Sequence, residues 1–314
     1  MRRVADERGA VAVVVALVMV PLIAFAAISI DVAGMYWEEQ QLQTGADAGA
    51  LAIAQDCARG SCGTPAQTAQ TSAAANDRTA GVTATVLAPT PTPSSGRVGV
   101  RTASVRKYLF APVLGFQQGT VAAQATVAWG APSGGTAVLP LAFSLCEFRA
   151  QTGGGLPTTT TERTIYFTKS STTSCTGPSG NVVPGGFGWL SVNAGGCRTT
   201  SAIGQTLYSS TGNAVPNGCT TASFAALQGR TILLPVFDSA GDTGASAWYH
   251  LQGYAAFQLT GYDFVGQYSW NAKGCKGSNH CIKGYFTRFV SLDEAFTYSA
   301  TAPAFGAAVV SLTS

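Results

Sequence analysis

Near its N-terminus the chain has an apolar run, without a single charge from Ala10 to Ile30, that is unlike anything after it. About 21 such residues suffice to cross the hydrocarbon of a bilayer as one helix, whereas the apolar core of a secretory signal is shorter. The run predicts an uncleaved transmembrane helix over 10–30, in which Pro21 is tolerable because neighbouring groups can satisfy the freed backbone. The alternative is a signal peptide cleaved near the small-residue pattern Ala24-Phe25-Ala26. Beyond Ile30 the larger apolar residues Met35, Leu42 and Ile53 share one helical face with Ala46, Gly49 and Ala50. This predicts an amphipathic helix continuing the span, with a small-residue surface that a second backbone can approach closely. Asp47 belongs to the same face and reads either as a solvated carboxylate or as one bonded to a neighbouring strand.

A second, weaker helical pattern covers "TAQTSAAAN", with Asn76 and Asp77 as polar termination. The period then changes to two. "VTATVLA", "RVGVRTASV" and "TVAAQATVAW" alternate Val and Thr with small or polar residues, as half-buried strands do. "PTPTPSSG" between the first two reads as a long hairpin loop or a linker, and "RKYLFAPVLGFQQG" between the second and third as a short amphipathic segment or a broken helix. From about Ala131, turn-rich stretches separate short apolar runs, among them "TIYFT", "TILLPVF", "YHLQGYAAFQLTGYDFVG" and "IKGYFTRFVSL". These predict a sandwich or open barrel, with the threonines at 158–161 forming an exposed loop or an edge strand.

Charge gives the first span an orientation. Arg2, Arg3 and Arg8 precede it and the next basic residue after it is Arg59, so the N-terminus is expected in the cytoplasm and everything past Ile30 outside. Tyr36 and Trp37 then stand where an interfacial aromatic belt would. Only 11 % of residues are charged, and the balance of 18 basic to 15 acidic residues leaves a net charge of +3, too little for a nucleic-acid footprint.

All eight cysteines follow the span, which fits structural disulfides in an oxidising compartment. Cys57 and Cys62, and Cys275 and Cys281, are close enough for local loop closure. Cys146, Cys175, Cys197 and Cys219 then retain three possible pairings, of which Cys146 with Cys175 and Cys197 with Cys219 are favoured. A zinc site at "CKGSNHC" is the competing reading, but the chain has two histidines and no second dense cluster to complete four ligands.

The succession Glu7 to Gly9, the apolar run, Asp31 to Gly34, and Leu42 to Ala52 with Asp47 resembles the N-terminal region of TadG-like proteins of tight-adherence (Flp/Tad) pilus assembly. Fainter echoes are "YLFAPVLG", "VLPLAFS", "GFGWL" and "IKGYFTRFV". The resemblance implies a membrane protein of pilus assembly rather than a major pilin, since Val14 stands where prepilin processing would want Glu. Some relatives carry a metal-binding von Willebrand A-type site, which "DSAGDT" from Asp238 does not match.

Catalytic signals are sparse. "GDTGAS" contains the Asp-Thr-Gly of aspartic proteases at Asp242, but it occurs once, and that chemistry needs two carboxylates sharing a proton; a polar turn is the simpler reading. His250 and His280 have no evident nucleophile, and no phosphate-binding loop is present. Lys273, Lys276, Lys283 and Arg288 near the last cysteines read as a solvated loop, or else as a contact for an anionic polymer.

These observations predict an α+β, mostly β protein: a single-pass transmembrane helix continuing into an amphipathic helix, then an antiparallel sheet and a disulfide-bonded β-rich distal domain. Its parts are a cytoplasmic tip 1–9, the span 10–30, a membrane-proximal helix and strands 31–130, and an extracytoplasmic domain 131–314. The expected role is a non-enzymatic, cofactor-free component of Tad-type pilus assembly or anchoring. Its expected partners are the bilayer through 10–30, and other pilus components or a second copy through Ala46, Asp47, Gly49, Ala50 and Ile53. A surface adhesin or envelope-binding module is the alternative, and a secreted hydrolase the third reading.

Overall fold

The computed structural model describes residues 8–77, 81–93, 96–209, 211–275, 279–291 and 295–313. Arg2, Arg3 and Lys276 lie outside them. The chain divides into two compact units, one of residues 1–54, 62–127 and 312–314 and the other of 55–61 and 128–311. It is mostly β, with one long apolar helix at its N-terminus.

That helix, α1, runs unbroken through Pro21 from Arg8 to Ala58. An 18-residue window of it has a mean hydropathy of 3.0 with none of its residues buried, so it is long and apolar enough to cross a membrane. Helix α2, Pro65–Asn76, starts at a proline whose missing N–H costs nothing in a first turn and ends at Asp77. Three strands complete the first unit: β1 (Thr83–Val86), β2 (Arg97–Lys107) and β3 (Gln118–Ala137), paired in that order, with β3 passing into the second unit after Val127. β1 and β2 are antiparallel, so the Pro/Thr-rich segment between them closes a hairpin. "RKYLFAPVLGFQQG" runs from the end of β2 through a loop into β3. Its only helical piece is a 3-10 turn, Ala111–Leu114, held between Pro112 and Gly115, which takes a left-handed φ of 91°, and none of the turn is buried.

Within the second unit the strands follow the order Arg163–Tyr166, Cys281–Thr287, Trp248–Asp263, Thr231–Gly241, Leu141–Ser144, Phe187–Trp189. All neighbours are antiparallel except Thr231–Gly241 with Leu141–Ser144. One core of interlocked aromatic rings fills it: Trp189 meets Phe264 at 4.9 Å and Phe224 at 6.2 Å edge to face, and Phe143 meets Phe286 in the same way at 5.3 Å. Residues 158–161 are an exposed loop, not an edge strand. Cys146–Cys175, Cys197–Cys219 and Cys275–Cys281 are disulfides, Cys57 and Cys62 are disulfide-bonded as well, and no described cysteine is free.

Candidate functional site

The polar chemistry of the first unit is concentrated on one stripe of α1. Asp31, Gly34, Glu38, Leu42, Gly45, Gly49 and Ile53 recur at steps of three and four, which places them on one helical face. β2 runs along this face in the opposite direction. Its inward positions, alternating by the period of two, are Val98, Val100, Thr102 and Ser104, followed by Arg106. Thr102 Oγ1 donates to the Leu42 carbonyl at 2.8 Å, Ser104 Oγ donates to Glu38 Oε1, and Arg106 Nη1 reaches Glu38 Oε2 at 2.8 Å. Glu38 is thus a buried carboxylate satisfied by a hydroxyl and a guanidinium, the condition under which a charge can be taken out of water. Gly34 makes this possible, because a Cβ there would collide with the Arg106 guanidinium.

One turn before Gly34, the buried carboxylate of Asp31 accepts three backbone N–H groups. Leu109 N lies 2.8 Å from Oδ1, and Phe110 N and Ala111 N lie 3.0 and 2.8 Å from Oδ2. Burial disfavours its charged form, but the three N–H donors, with Arg106 nearby, outweigh that and hold the carboxyl below its ordinary value. Asp31 is therefore an anchor for the loop that follows β2.

Further along, the stripe packs on the chain itself. A Cβ on Gly45 would stand 3.1 Å from the Ala73 Cα of α2, and one on Gly49 would stand 3.3 Å from the Ala69 Cα. Ala46, Ala50 and Ile53 are fully buried, and Leu42 packs with Val121 and Ala123 of β3. The close backbone approach expected of the small-residue face is thus made by α2. Half-buried Asp47 accepts from Gln43 Nε2 at 2.9 Å, and the same amide reaches the Gln124 carbonyl of β3 at 3.2 Å, so Asp47 touches the strand through a glutamine.

The candidates in the second unit take structural positions. Asp242 to Ala247 connect two antiparallel strands, with Asp242 at φ 55°. Asp242, Thr243, Gly244 and Ala247 border a surface cavity of about 290 Å³ with Phe167, Phe187 and Tyr249, in which Asp242 is the one carboxylate among the described lining residues. His250 Nδ1 lies 2.8 Å from Asp238, and His280 Nδ1 lies 3.7 Å from Asp263. Of the basic cluster, Lys283 does not join a solvated loop: it is buried, with its Nζ 3.0 Å from Glu162, whereas Lys273 and Arg288 are exposed, Arg288 also donating to the Pro157 and Arg59 carbonyls. No three His, Cys, Asp or Glu side chains converge among the described residues.

The sequence reading named Asp31 only as part of a motif and passed over Glu38. The spacing Asp31, Gly34, Glu38, two acids and a glycine on one face directly after an apolar run, was the available signal.

Residues 9–56 match the Tad family model, described as Flp pilus-assembly TadE/G-like. The match ends within α1 and contains the whole stripe from Asp31 to Ile53. No curated protein and no solved structure matches the chain.

Proposed function

Taking as premise an N-terminal segment that matches the TadE/G-like family of Flp pilus assembly, we propose that this chain is a membrane-anchored, non-enzymatic component of a Tad-type pilus assembly or anchoring apparatus. Residues 10–30 cross the cytoplasmic membrane with the N-terminus inside, and the remainder of the chain is extracytoplasmic. The observation that carries the reading is the coincidence of three features in one helix: the family match, an apolar stretch with no buried residue, and the Asp31, Gly34, Glu38 clamp that begins where the apolar stretch ends. A clamp at that place fixes the first unit to the end of its anchor, as a component transmitting position between membrane and pilus requires. The arginines before the span support the orientation, and the disulfide-bonded cysteines support an extracytoplasmic location.

Deleting the gene and counting surface pili tests the function: pili should be lost and restored by the intact gene, and normal piliation of the deletion strain would refute the assignment. An alkaline phosphatase fused after Ser314 should be active, because it folds only outside the cytoplasm.

A further inference from the structure

The segment from Tyr108 to Phe116, "YLFAPVLGF", contains no charged side chain and connects β2 to β3. Its apolar side chains point away from the fold: Leu109 is 70 % exposed, Val113 89 %, Leu114 64 % and Phe116 65 %. A tip of this kind in water would be an unexplained cost, because large contiguous apolar patches on a soluble surface mark a contact.

We infer that this loop is a second membrane contact, dipping into the outer leaflet beside the transmembrane helix. The inference rests on residues 10–30 crossing the bilayer, as proposed above. Position is the first argument. The loop is tied by three hydrogen bonds to Asp31, the residue directly after the span, so its first residues stand at the outer edge of the hydrocarbon. Tyr36 and Trp37, both well exposed on α1, lie roughly 8 Å further along the helix axis, where they suit the headgroup layer. The loop therefore stands on the acyl-chain side of that aromatic level.

The second argument is hydrogen bonding, because irregular backbone that meets lipid must satisfy its polar groups internally. Here the N–H groups of Leu109, Phe110 and Ala111 go to Asp31, and that of Tyr108 goes to the Gln117 carbonyl. Those of Val113, Gly115 and Phe116 bond carbonyls within the turn, and Pro112 has none to satisfy. A carboxylate at this depth faces the matching problem, which the same three bonds solve. Lys107, exposed at the base of the loop, adds a cation at headgroup height.

The test uses the full chain reconstituted in phosphatidylcholine/phosphatidylglycerol vesicles. An environment-sensitive fluorescent amino acid is placed in turn at Val113, at exposed Ile23 in the span, and at exposed Thr85 of β1. Thr85 pairs with Arg101, next to Thr102 at the level of Leu42, roughly 16 Å up the helix from Asp31. Lipids brominated high on the acyl chain should quench the Val113 probe severalfold more than the Thr85 probe, and lipids brominated near the chain end should quench Ile23 best. Quenching at Ile23 with Val113 no different from Thr85 would overturn the loop contact and leave the anchor intact. Absence of quenching at both Ile23 and Val113 would overturn the anchor and the loop together. A blue-shifted but unquenched probe at Val113 would overturn it in favour of a protein partner or a second copy covering the loop.

Discussion

Arg106 reaches Glu38 by lying across Gly34, its Nη1 2.8 Å from the carboxylate, in a space that any side chain at 34 would fill. The pair is asymmetric: the glutamate side chain is 3 % exposed and the arginine 27 %. Removing the arginine therefore strands a buried charge, whereas removing the glutamate charge leaves a guanidinium that can still reach water. Arg106→Ala should cost about 3 kcal/mol, and Glu38→Gln less, since an amide still accepts from Ser104. Gly34→Ala should cost less than Arg106→Ala, because the guanidinium is the end of a flexible side chain that can shift, and alanine favours the helix. Urea unfolding of the detergent-solubilised chain checks this, and the double variant should cost less than the sum of the singles.

The disulfides separate by loop length. Cys197 and Cys219 close 22 residues and Cys275 and Cys281 close 6, so replacing both cysteines by alanine should cost about 3 kcal/mol for the first link and about 2 kcal/mol for the second. Cys197 and Cys219 are buried in the main core and Cys281 is buried as well, so a packing loss adds to both and the ranking rests on loop length. Thermal unfolding of the two variants should reproduce the ranking. Equal midpoints would show that loop length is not what sets their contribution.

How far the sequence carried depends on the kind of signal. The apolar run, the hairpin around the Pro/Thr-rich loop and the alternation of β2 are local patterns, and each was readable from consecutive residues. The clamp was not, because it joins residues 66 to 80 positions apart and hydrophobic periodicity is blind to buried polar groups. On β2 the inward face passes from Val98 and Val100 to Thr102, Ser104 and Arg106 without breaking the alternation, so its polar half looks like solvent-facing strand until a helix is laid against it. The "YLFAPVLGF" loop was only half legible for a related reason. Its apolar content suggested a short amphipathic segment or a broken helix; Pro112 and Gly115 allow a single turn, and its apolar residues face outward, which the pattern alone does not reveal.

Gly45 and Gly49 let α2 approach α1 within backbone contact. Leucine at 49 would push several methylenes against the Ala69 backbone, which cannot swing aside as a side-chain tip can, and should cost about 1–3 kcal/mol. Because the neighbour belongs to the same chain, the loss should appear as lower stability of the first unit in isolated protein, with no pilus partner present. Lysine at exposed Gln40 should be neutral. Unchanged unfolding of Gly49→Leu would remove the helix contact from the account of stability.

Asp31 makes the loop contact responsive to acid. Burial disfavours its charged form, but the three N–H donors of the folded chain, with Arg106 adding to them, outweigh that and hold the carboxyl below its ordinary 3.8. A depressed value means that the clamp is fully present above pH 3.8 and is lost as the pH falls through the lower folded value. Hydrogen exchange of the detergent-solubilised chain should therefore find the amides of Leu109, Phe110 and Ala111 protected at neutral pH. After correction for intrinsic rates, that protection should fall in acid below the ordinary carboxylate range. Asp31→Asn keeps one acceptor oxygen but not the charge, so at neutral pH it should exchange like the acid form of the unmodified chain, while the Thr102 region of β2, bonded to Leu42 instead, should change little. Equal protection at Leu109 to Ala111 in both proteins and at both pH values would mean that the loop holds its place without the carboxylate.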